Sequence, residues 1–355
     1  MKKIVLTGGG TAGHVTPNIA LLPRLREEGY QVEYIGSYHG MEKGLVQKAG
    51  LSYHGISSGK LRRYFSLKNA TDVLRVAKGY FEALFLLKRL RPNLVFSKGG
   101  FVSVPVVLAA KTLHIPAIIH ESDMTPGLAN RIAMRGAVKV CCNFPETLKY
   151  LPKDKAVLTG SPIRQELLHG DPSRAYAFTG FSHDKPVLLI IGGSLGSVFI
   201  NRAVRGSLDQ LLDQYQIIHL CGKGNLDASL DNREGYRQYE YISEELPDLF
   251  AAASLIVSRA GANAICELLS LRKPNILIPL SAAASRGDQI LNARSFEKQG
   301  FSYVIEEEAC NEESLAKAID YVSEHASDYI CAMEDSGQMD SIGKIMDLFE
   351  TIARS

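Results

Sequence analysis

Three turns built of small residues are the places where this chain could do chemistry. Gly8-Gly9-Gly10-Thr11-Ala12-Gly13-His14 follows the apolar run 4–7, and Gly192-Gly193-Ser194-Leu195-Gly196-Ser197 follows the run 187–191. Arg259-Ala260-Gly261-Ala262-Asn263-Ala264 follows the run 255–258. A turn of this kind leads from a strand into a helix. Its N–H groups and the positive helix end hold a phosphate without a charged side chain. Glycines there also serve plain close packing of strand on helix. No lysine follows the glycines of the first two turns, so neither is a nucleoside-triphosphate loop. Gly8-x-Gly10-x-x-Gly13 with Glu33 on the next strand matches the dinucleotide fingerprint, so NAD or FAD binding by an oxidoreductase is one reading. A substrate carrying a diphosphate, held between two such loops, is the other.

His14 closes the first turn. A lone histidine is commonly structural, but one fixed beside an anion-binding turn is a candidate for proton transfer. Glu267 falls about one turn into the helix after the third turn. A carboxylate there accepts two hydrogen bonds from a ribose diol, or simply favours the helix dipole.

The elements that position these residues alternate from end to end. Short apolar runs lie at 4–7, 32–35, 94–97, 117–120, 138–142 and 157–159, then at 187–191, 217–221, 255–258, 276–279 and 303–305. Between them lie segments of helical period such as 19–28, 102–113 and 289–299. This alternation implies α/β architecture with parallel sheets. The glycine turn that opens a doubly wound domain occurs twice, so two Rossmann-like domains are expected, facing each other across a deep cleft. Their boundary falls near Gly160-Ser161-Pro162-Ile163-Arg164, and a polar stretch at 168–185 precedes the second opening strand. The expected division is 1–161 and 162–339, with a C-terminal helix at about 340–355 packing back on the first domain.

Composition narrows the partners. With 355 residues there is enough chain for two cores, and a net charge of +2 gives no global pull toward any polymer. The six cysteines form no C-x-x-C pair, so buried, reduced thiols are expected. The apolar start is too short for a signal peptide, and no run approaches the roughly 20 apolar residues that span a bilayer. The expected protein is soluble or touches a membrane from one side. The segment 60–91 is the candidate for that contact. It interleaves basic residues such as Arg62, Arg75, Lys78, Lys88 and Arg89 with Tyr64, Phe65, Phe81 and Phe85, which suits an anionic membrane surface. Near-neutral charge and the lack of an RNA-binding motif argue against nucleic acid.

With these residues laid out, the chain resembles the GT-B glycosyltransferases of family 28, and among them the bacterial N-acetylglucosaminyltransferases that form lipid II. The matching segments are 8–17, Ser97-Lys98-Gly99-Gly100-Phe101-Val102-Ser103, His120-Glu121-Ser122-Asp123, Gly127-Leu128-Ala129-Asn130, Gly160-Ser161-Pro162-Ile163-Arg164, 192–197 with Asn201, 259–267, and Asp288-Gln289-Ile290-Leu291-Asn292-Ala293. They stand in family order over nearly the whole chain. The sequence departs from many members at Ala12, at Phe101 and at Ser122-Asp123, where others carry Gly, Tyr and Gln-Asn.

The resemblance implies transfer of N-acetylglucosamine, with inversion, from UDP-GlcNAc to the C4 hydroxyl of a lipid-linked MurNAc-pentapeptide, lipid I, giving lipid II at the cytoplasmic face of the cell membrane. It implies a donor site on the second domain. There the Ser194 loop and Arg164 meet the diphosphate, the backbone near Ile242 reads the uracil, and Glu267 holds the ribose. The turn Gly261–Cys266, with Ala262, Asn263 and Ala264, lies along the phosphates, Arg259 belongs to the same donor site, and Asp288 with Gln289 contacts the sugar. Thr11, Ala12 and Gly13 face the reacting sugar and the acceptor's diphosphate, while Gly10, His120, Glu121 and Asn130 lie on the acceptor side. His14 is the family's candidate base, and Asp123 is a second one. Lacking an Asp-x-Asp motif, the chain is expected to need no metal and no cofactor. Association with cell-wall synthesis and division proteins is implied as well. Rival readings from the same architecture are a glycolipid glucosyltransferase, a UDP-GlcNAc 2-epimerase, or a UDP-sugar sensor without turnover.

Overall fold

The computed structural model describes residues 2–59, 68–193, 196–283, 287–337 and 340–353. The chain divides into two compact units, Met1–Arg164 with Asp340–Ser355, and Gln165–Met339. The sequence reading put the break after residue 161; the units part after Arg164.

In the first unit seven strands form one parallel sheet: β1 (Lys3–Thr7), β2 (Gln31–Ser37), β3 (Ser52–Ile56), β4 (Leu94–Ser97), β5 (Ala117–Glu121), β6 (Lys139–Cys142) and β7 (Ala156–Leu158). Their order is β3-β2-β1-β4-β5-β6-β7. Side chains alternate across the pleat, so neighbours in sequence enter opposite cores. Val5, Val95 and Ile119 join the cluster under the helices Lys68–Leu90 and Ser103–Thr112. Ile4, Leu6, Phe96 and Ile118 join the other cluster. The C-terminal helix Ser341–Ala353 covers that second face, burying Ile345, Met346 and Phe349, with the Phe349 ring edge-on to Phe96 at 5.1 Å. Ser341 Oγ pins its start by donating to the Ser161 carbonyl at 2.6 Å.

The second unit has six parallel strands: β8 (Val187–Ile191), β9 (Gln216–Leu220), β10 (Tyr236–Tyr239), β11 (Ala253–Ser258), β12 (Asn275–Leu277) and β13 (Tyr303–Val304), ordered β10-β9-β8-β11-β12-β13. The polar stretch at 168–185 contains a helix, Pro172–Thr179. Asp171 caps it by accepting from Ser173 N–H at 2.9 Å, and Gly180 closes it in the left-handed region at φ 69°.

Four cysteines are buried as expected, but Cys310 is half-buried and Cys331 is exposed, because Cys331 lies on an outward position of the helix Ala326–Glu334. Among the described residues no helix is long and apolar enough to cross a membrane.

Candidate active site

Each sheet reverses its strand order once, between β1 and β4 in the first unit and between β8 and β11 in the second. At such a point the flanking loops diverge at the carboxyl ends of the strands and leave a crevice. The small-residue turns after β1, β8 and β11 all sit at these two places.

In the first unit the glycine loop is fixed from beneath. Asn18 is fully buried, and its Nδ2 donates to the carbonyls of Thr7 at 3.1 Å and His14 at 3.4 Å. Tyr34 Oη donates to the Gly8 carbonyl at 2.8 Å. Glu42, also fully buried, accepts from Gly10 N–H at 3.3 Å, Ser37 N–H at 3.0 Å and the Ser37 hydroxyl at 2.5 Å. Gly100, at φ 85°, comes so close that a Cβ there would collide with the Gly9 carbonyl oxygen. The loops after β1 and β4 therefore meet backbone to backbone.

His14 ends the short turn Ala12–His14, with its Nδ1 2.9 Å from the Gly9 carbonyl and 3.2 Å from Thr11 Oγ1. A carbonyl only accepts, so Nδ1 carries the proton and Nε2 keeps the lone pair. Burial lowers the His14 pKa and the Lys98 charge adds to this, while the Gly9 hydrogen bond, Asp123 and Glu42 oppose it. The outcome is a neutral imidazole whose basic nitrogen is its far one. A cavity of about 460 Å³ is lined by Gly9, Gly10, Thr11, His14, Glu42, Gly100 and Phe101 among others.

A buried polar layer supports this cavity. Lys98 is 1% exposed, and its Nζ donates to His120 Nδ1 at 2.9 Å. His120 in turn donates a hydrogen bond from Nε2 to the Gly160 carbonyl at 2.8 Å. Burial, then the Lys98 charge, hold the His120 pKa well below the ordinary value. Next to it Glu121 accepts from Asp123 N–H at 3.0 Å, Gly127 N–H at 3.1 Å and Asn130 Nδ2 at 2.9 Å. Burial pushes the Glu121 carboxyl up to about 7; Asp123 adds to the rise, and the three donors oppose it. These bonds shape the 121–127 loop and with it the half-buried Asp123.

In the second unit Ser197 caps the helix Val198–Gly206, accepting from Ile200 N–H at 3.2 Å. The same hydroxyl oxygen takes Arg259 Nη2 at 2.6 Å. Arg259 also pairs with Glu307 and donates to the Ile278 carbonyl at 3.1 Å, and Glu307 accepts from Ser281 N–H at 3.1 Å. One guanidinium thus joins the ends of three strands. The helix Ala262–Leu271 begins at Gly261 with no side-chain cap among the described residues, the arrangement in which leading N–H groups take an anion. Asn292 Nδ2 donates to the Ala260 carbonyl at 3.4 Å, and Gln289 Oε1 accepts from Leu280 N–H at 3.1 Å, so the helix Asp288–Lys298 is tied to the same edge. Asn263, Ala264, Glu267, Asp288 and Gln289 are half-buried there, and Ile242 is buried beside the exposed Tyr241.

Several sequence expectations change in detail. His120 is fully enclosed, and Glu121 and Asn130 are 4% and 6% exposed, so all three shape the 121–127 loop from within. Arg259 is engaged by Glu307 and Ser197, which ties the loops after β8, β11 and β13 together. Glu33 does not serve a dinucleotide ribose: it lies within β2, bonded to His54 Nε2 at 2.9 Å and Gln31 Nε2 at 3.1 Å. Gly10, Thr11 and Ala12 are exposed and Gly13 half-buried beside His14. Arg164 is half-buried as the last residue of the first unit's long segment. Ser194 lies outside the described residues, as does 60–67 of the basic segment. Sequence reasoning missed Asn18, Glu42 and Glu307. Each is a polar side chain folded back onto a turn distant in the chain, and no local spacing signals that.

Two doubly wound parallel sheets, each with its anion-type turns at the reversal point, define the GT-B class of glycosyltransferases. The chain belongs to glycosyltransferase family 28: the family's N-terminal domain model matches residues 4–142 and its C-terminal domain model residues 187–346. It is 64% identical over 352 residues, 99% of both chains, to the UDP-N-acetylglucosamine--N-acetylmuramyl-(pentapeptide) pyrophosphoryl-undecaprenol N-acetylglucosamine transferase of Lachnoclostridium phytofermentans. It is 55% identical over 349 residues, 98% of both chains, to the protein of the same name from Clostridium tetani. Among solved structures it is similar to MurG of Acinetobacter baumannii, with TM-score 0.79 and 25% identity over 99% of this chain and 100% of that one.

Proposed function

We infer that this chain transfers N-acetylglucosamine from UDP-GlcNAc to N-acetylmuramyl-pentapeptide pyrophosphoryl-undecaprenol, a step of peptidoglycan synthesis. The observation that carries the reading is the neutral, Nδ1-anchored His14 lining a cavity at the first sheet's reversal point, in a chain 64% identical to a protein of that name. The acceptor sugar occupies that cavity. Its C4 hydroxyl gives its proton to His14 Nε2 as the oxygen attacks C1 of the donor sugar from the side opposite the UDP. The C1–O bond to the diphosphate breaks, UDP leaves with the electron pair, and the new linkage is β. Because the transition state resembles an oxocarbenium ion, most of the growing negative charge falls on the departing diphosphate. Main-chain N–H groups at the start of the helix Ala262–Leu271 and in the Ser194 loop stabilise it, with Arg164, while Glu267 holds the ribose and Asp288 and Gln289 the sugar.

The enzyme meets its lipid substrate at a membrane surface. On the helix Lys68–Leu90, Leu74, Phe81 and Phe85 are 70%, 66% and 67% exposed. Their spacing places them in one stripe, with Lys78 and Arg89 along one side and Lys88 along the other. Leu84 and Leu87 turn into the core instead. An apolar stripe edged by lysine and arginine suits the cytoplasmic leaflet, whose anionic lipids attract the basic rim.

The test is incubation of the purified protein with UDP-GlcNAc and a lipid acceptor. A product heavier by one N-acetylhexosamine, formed with stoichiometric UDP, supports the reading. Conversion of UDP-GlcNAc without an acceptor, as an epimerase would perform, refutes it.

A further inference from the structure

One carboxylate on the wall of the His14 cavity has no partner that explains it. Asp72, on the helix Lys68–Leu90, lines that cavity together with His14, Glu42 and Phe101. It is 6% exposed, whereas Val73 and Leu74 beside it are 56% and 70% exposed. Two close backbone contacts hold the helix in this rotation. A Cβ on Gly59 would collide with the Asp72 carbonyl, and a Cβ on Gly79 would collide with the Ser57 carbonyl. Positions 72 and 79 are two turns apart, so one face of the helix lies against the loop after β3 and carries Asp72 inward.

Its surroundings leave this carboxylate free to accept. Among the described residues it meets only Arg75, whose Nη1 lies 3.7 Å from Oδ1, beyond hydrogen-bond reach, and whose side chain is 65% exposed. A pair that loose and that exposed contributes little. The first turn of the helix holds no acidic residue, so the helix dipole does not account for Asp72 either. Glu42, the other acid on the cavity wall, is already taken by Gly10 N–H, Ser37 N–H and the Ser37 hydroxyl. A buried carboxylate without a donor is costly, and such groups are nearly always satisfied. A hydroxyl on the molecule that fills the cavity would satisfy this one.

We propose that Asp72 accepts a hydrogen bond from the C6 hydroxyl of the acceptor sugar and is a specificity-determining residue for it. The proposal rests on the reading of the acceptor given above. On N-acetylmuramic acid the attacking C4 hydroxyl has two neighbours along the ring. C3 carries the ether-linked peptide arm, and an ether oxygen donates nothing. C5 carries the C6 hydroxymethyl group, the nearest other donor to C4. With the C4 hydroxyl on His14 Nε2, a second anchor at C6 fixes the rotation of the ring about the attacking oxygen. A sugar without that hydroxyl leaves Asp72 buried and unmatched, which is how a site built to bind a hydroxyl rejects an analogue lacking it.

The experiment uses full-length protein and two short-chain acceptors that differ only at C6, the parent and its 6-deoxy analogue. In the wild type, kcat/KM for the 6-deoxy acceptor should lie at least about tenfold below the parent, the order of one lost hydrogen bond to a charged group. In D72A the parent should fall by a similar factor, and the two acceptors should then differ by no more than about twofold, since the group that reads C6 is gone. D72N, whose amide oxygen still accepts, should regain part of the preference for the parent. The donor KM, which also reports folding, should stay within about twofold in both variants. Equal use of the two acceptors by the wild type overturns the proposal, whether or not the variants fold. So does a D72A protein that prefers the parent as strongly as the wild type does. A kcat loss of about a hundredfold or more in D72N with both acceptors overturns it too, because Asp72 would then be taking a proton. Failure of the wild type on the parent acceptor would instead strike the reading of the reaction itself.

Discussion

Removing the His14 imidazole tests the chemistry most sharply, because its environment says how much should be lost. The Gly9 carbonyl fixes the tautomer, and burial lowers the pKa, so near neutral pH the base form on Nε2 predominates. A positioned general base contributes roughly 10²–10⁴ in rate. At about 1.36 kcal/mol per decade that is about 2.7–5.4 kcal/mol of barrier. His14→Ala should therefore lower kcat at least a hundredfold and leave the donor KM within about twofold. The pH dependence carries a second check. Activity falls as pH drops through the His14 pKa, since protonation removes the lone pair. That pKa is lowered, so the acid limb of the wild-type profile should lie below the ordinary histidine value of about 6.5. The Asp123 charge raises the His14 pKa, so Asp123→Asn should move the limb to still lower pH. Its plateau rate should remain within about tenfold of wild type. The assay is UDP release from about pH 5 to 9, spanning the ordinary histidine range. If His14→Ala stays within tenfold of wild type, or Asp123→Asn loses about a thousandfold and its acid limb vanishes, the base is Asp123 and the reasoning about His14 fails.

The other expectations concern the supports. Glu121→Gln places an amide NH₂ against one of three hydrogen-bond donors, so thermal unfolding should report a loss of about 1–3 kcal/mol, with a lower kcat as the Asp123 loop shifts. Its pH signature is separate. Between the ordinary carboxylate range and about 7 the folded wild type keeps a proton on Glu121 that the unfolded chain has lost, so this contribution to stability declines as pH rises through that window. In the glutamine variant that slope should be missing. Glu307→Gln leaves Arg259, whose side chain is 12% exposed, without its counter-charge; chemical denaturation should show a loss of about 3 kcal/mol, and the donor KM should rise. Phe81→Ser with Phe85→Ser should weaken sedimentation with anionic vesicles at least tenfold, since each ring buried in lipid is worth about 1.5–3 kcal/mol.

Much of the fold was legible in the sequence. All eleven apolar runs became strands, because a parallel strand covered on both faces must be apolar along its length. The two strands that were missed, β3 (Ser-Tyr-His-Gly-Ile) and β10 (Tyr-Arg-Gln-Tyr), are both at a sheet edge and only partly buried, so no continuous apolar run marks them. The helix Pro172–Thr179 carried its signal in Asp171 and Gly180, but the polar residues around it hid the cap. Motif spacing located the turns and His14. It could not separate a residue that lines a cavity from one that braces it. His120 and Arg259 stand in the same motifs as their exposed neighbours, yet both are consumed by buried partners, and those partners (Lys98, Gly160, Glu307) arrive from other strands.

In the proposed reaction the nucleotide binds the second unit and the proton transfer takes place in the first. The most direct measurement is a crystal structure of the protein with UDP-GlcNAc. The expected result is uridine against the turn at 259–264, its ribose hydroxyls on Glu267 and its phosphates at the start of the helix Ala262–Leu271, with no nucleotide on the loop Gly8 to Gly13. A uridine diphosphate bound on that first loop, with Glu267 untouched, would contradict it.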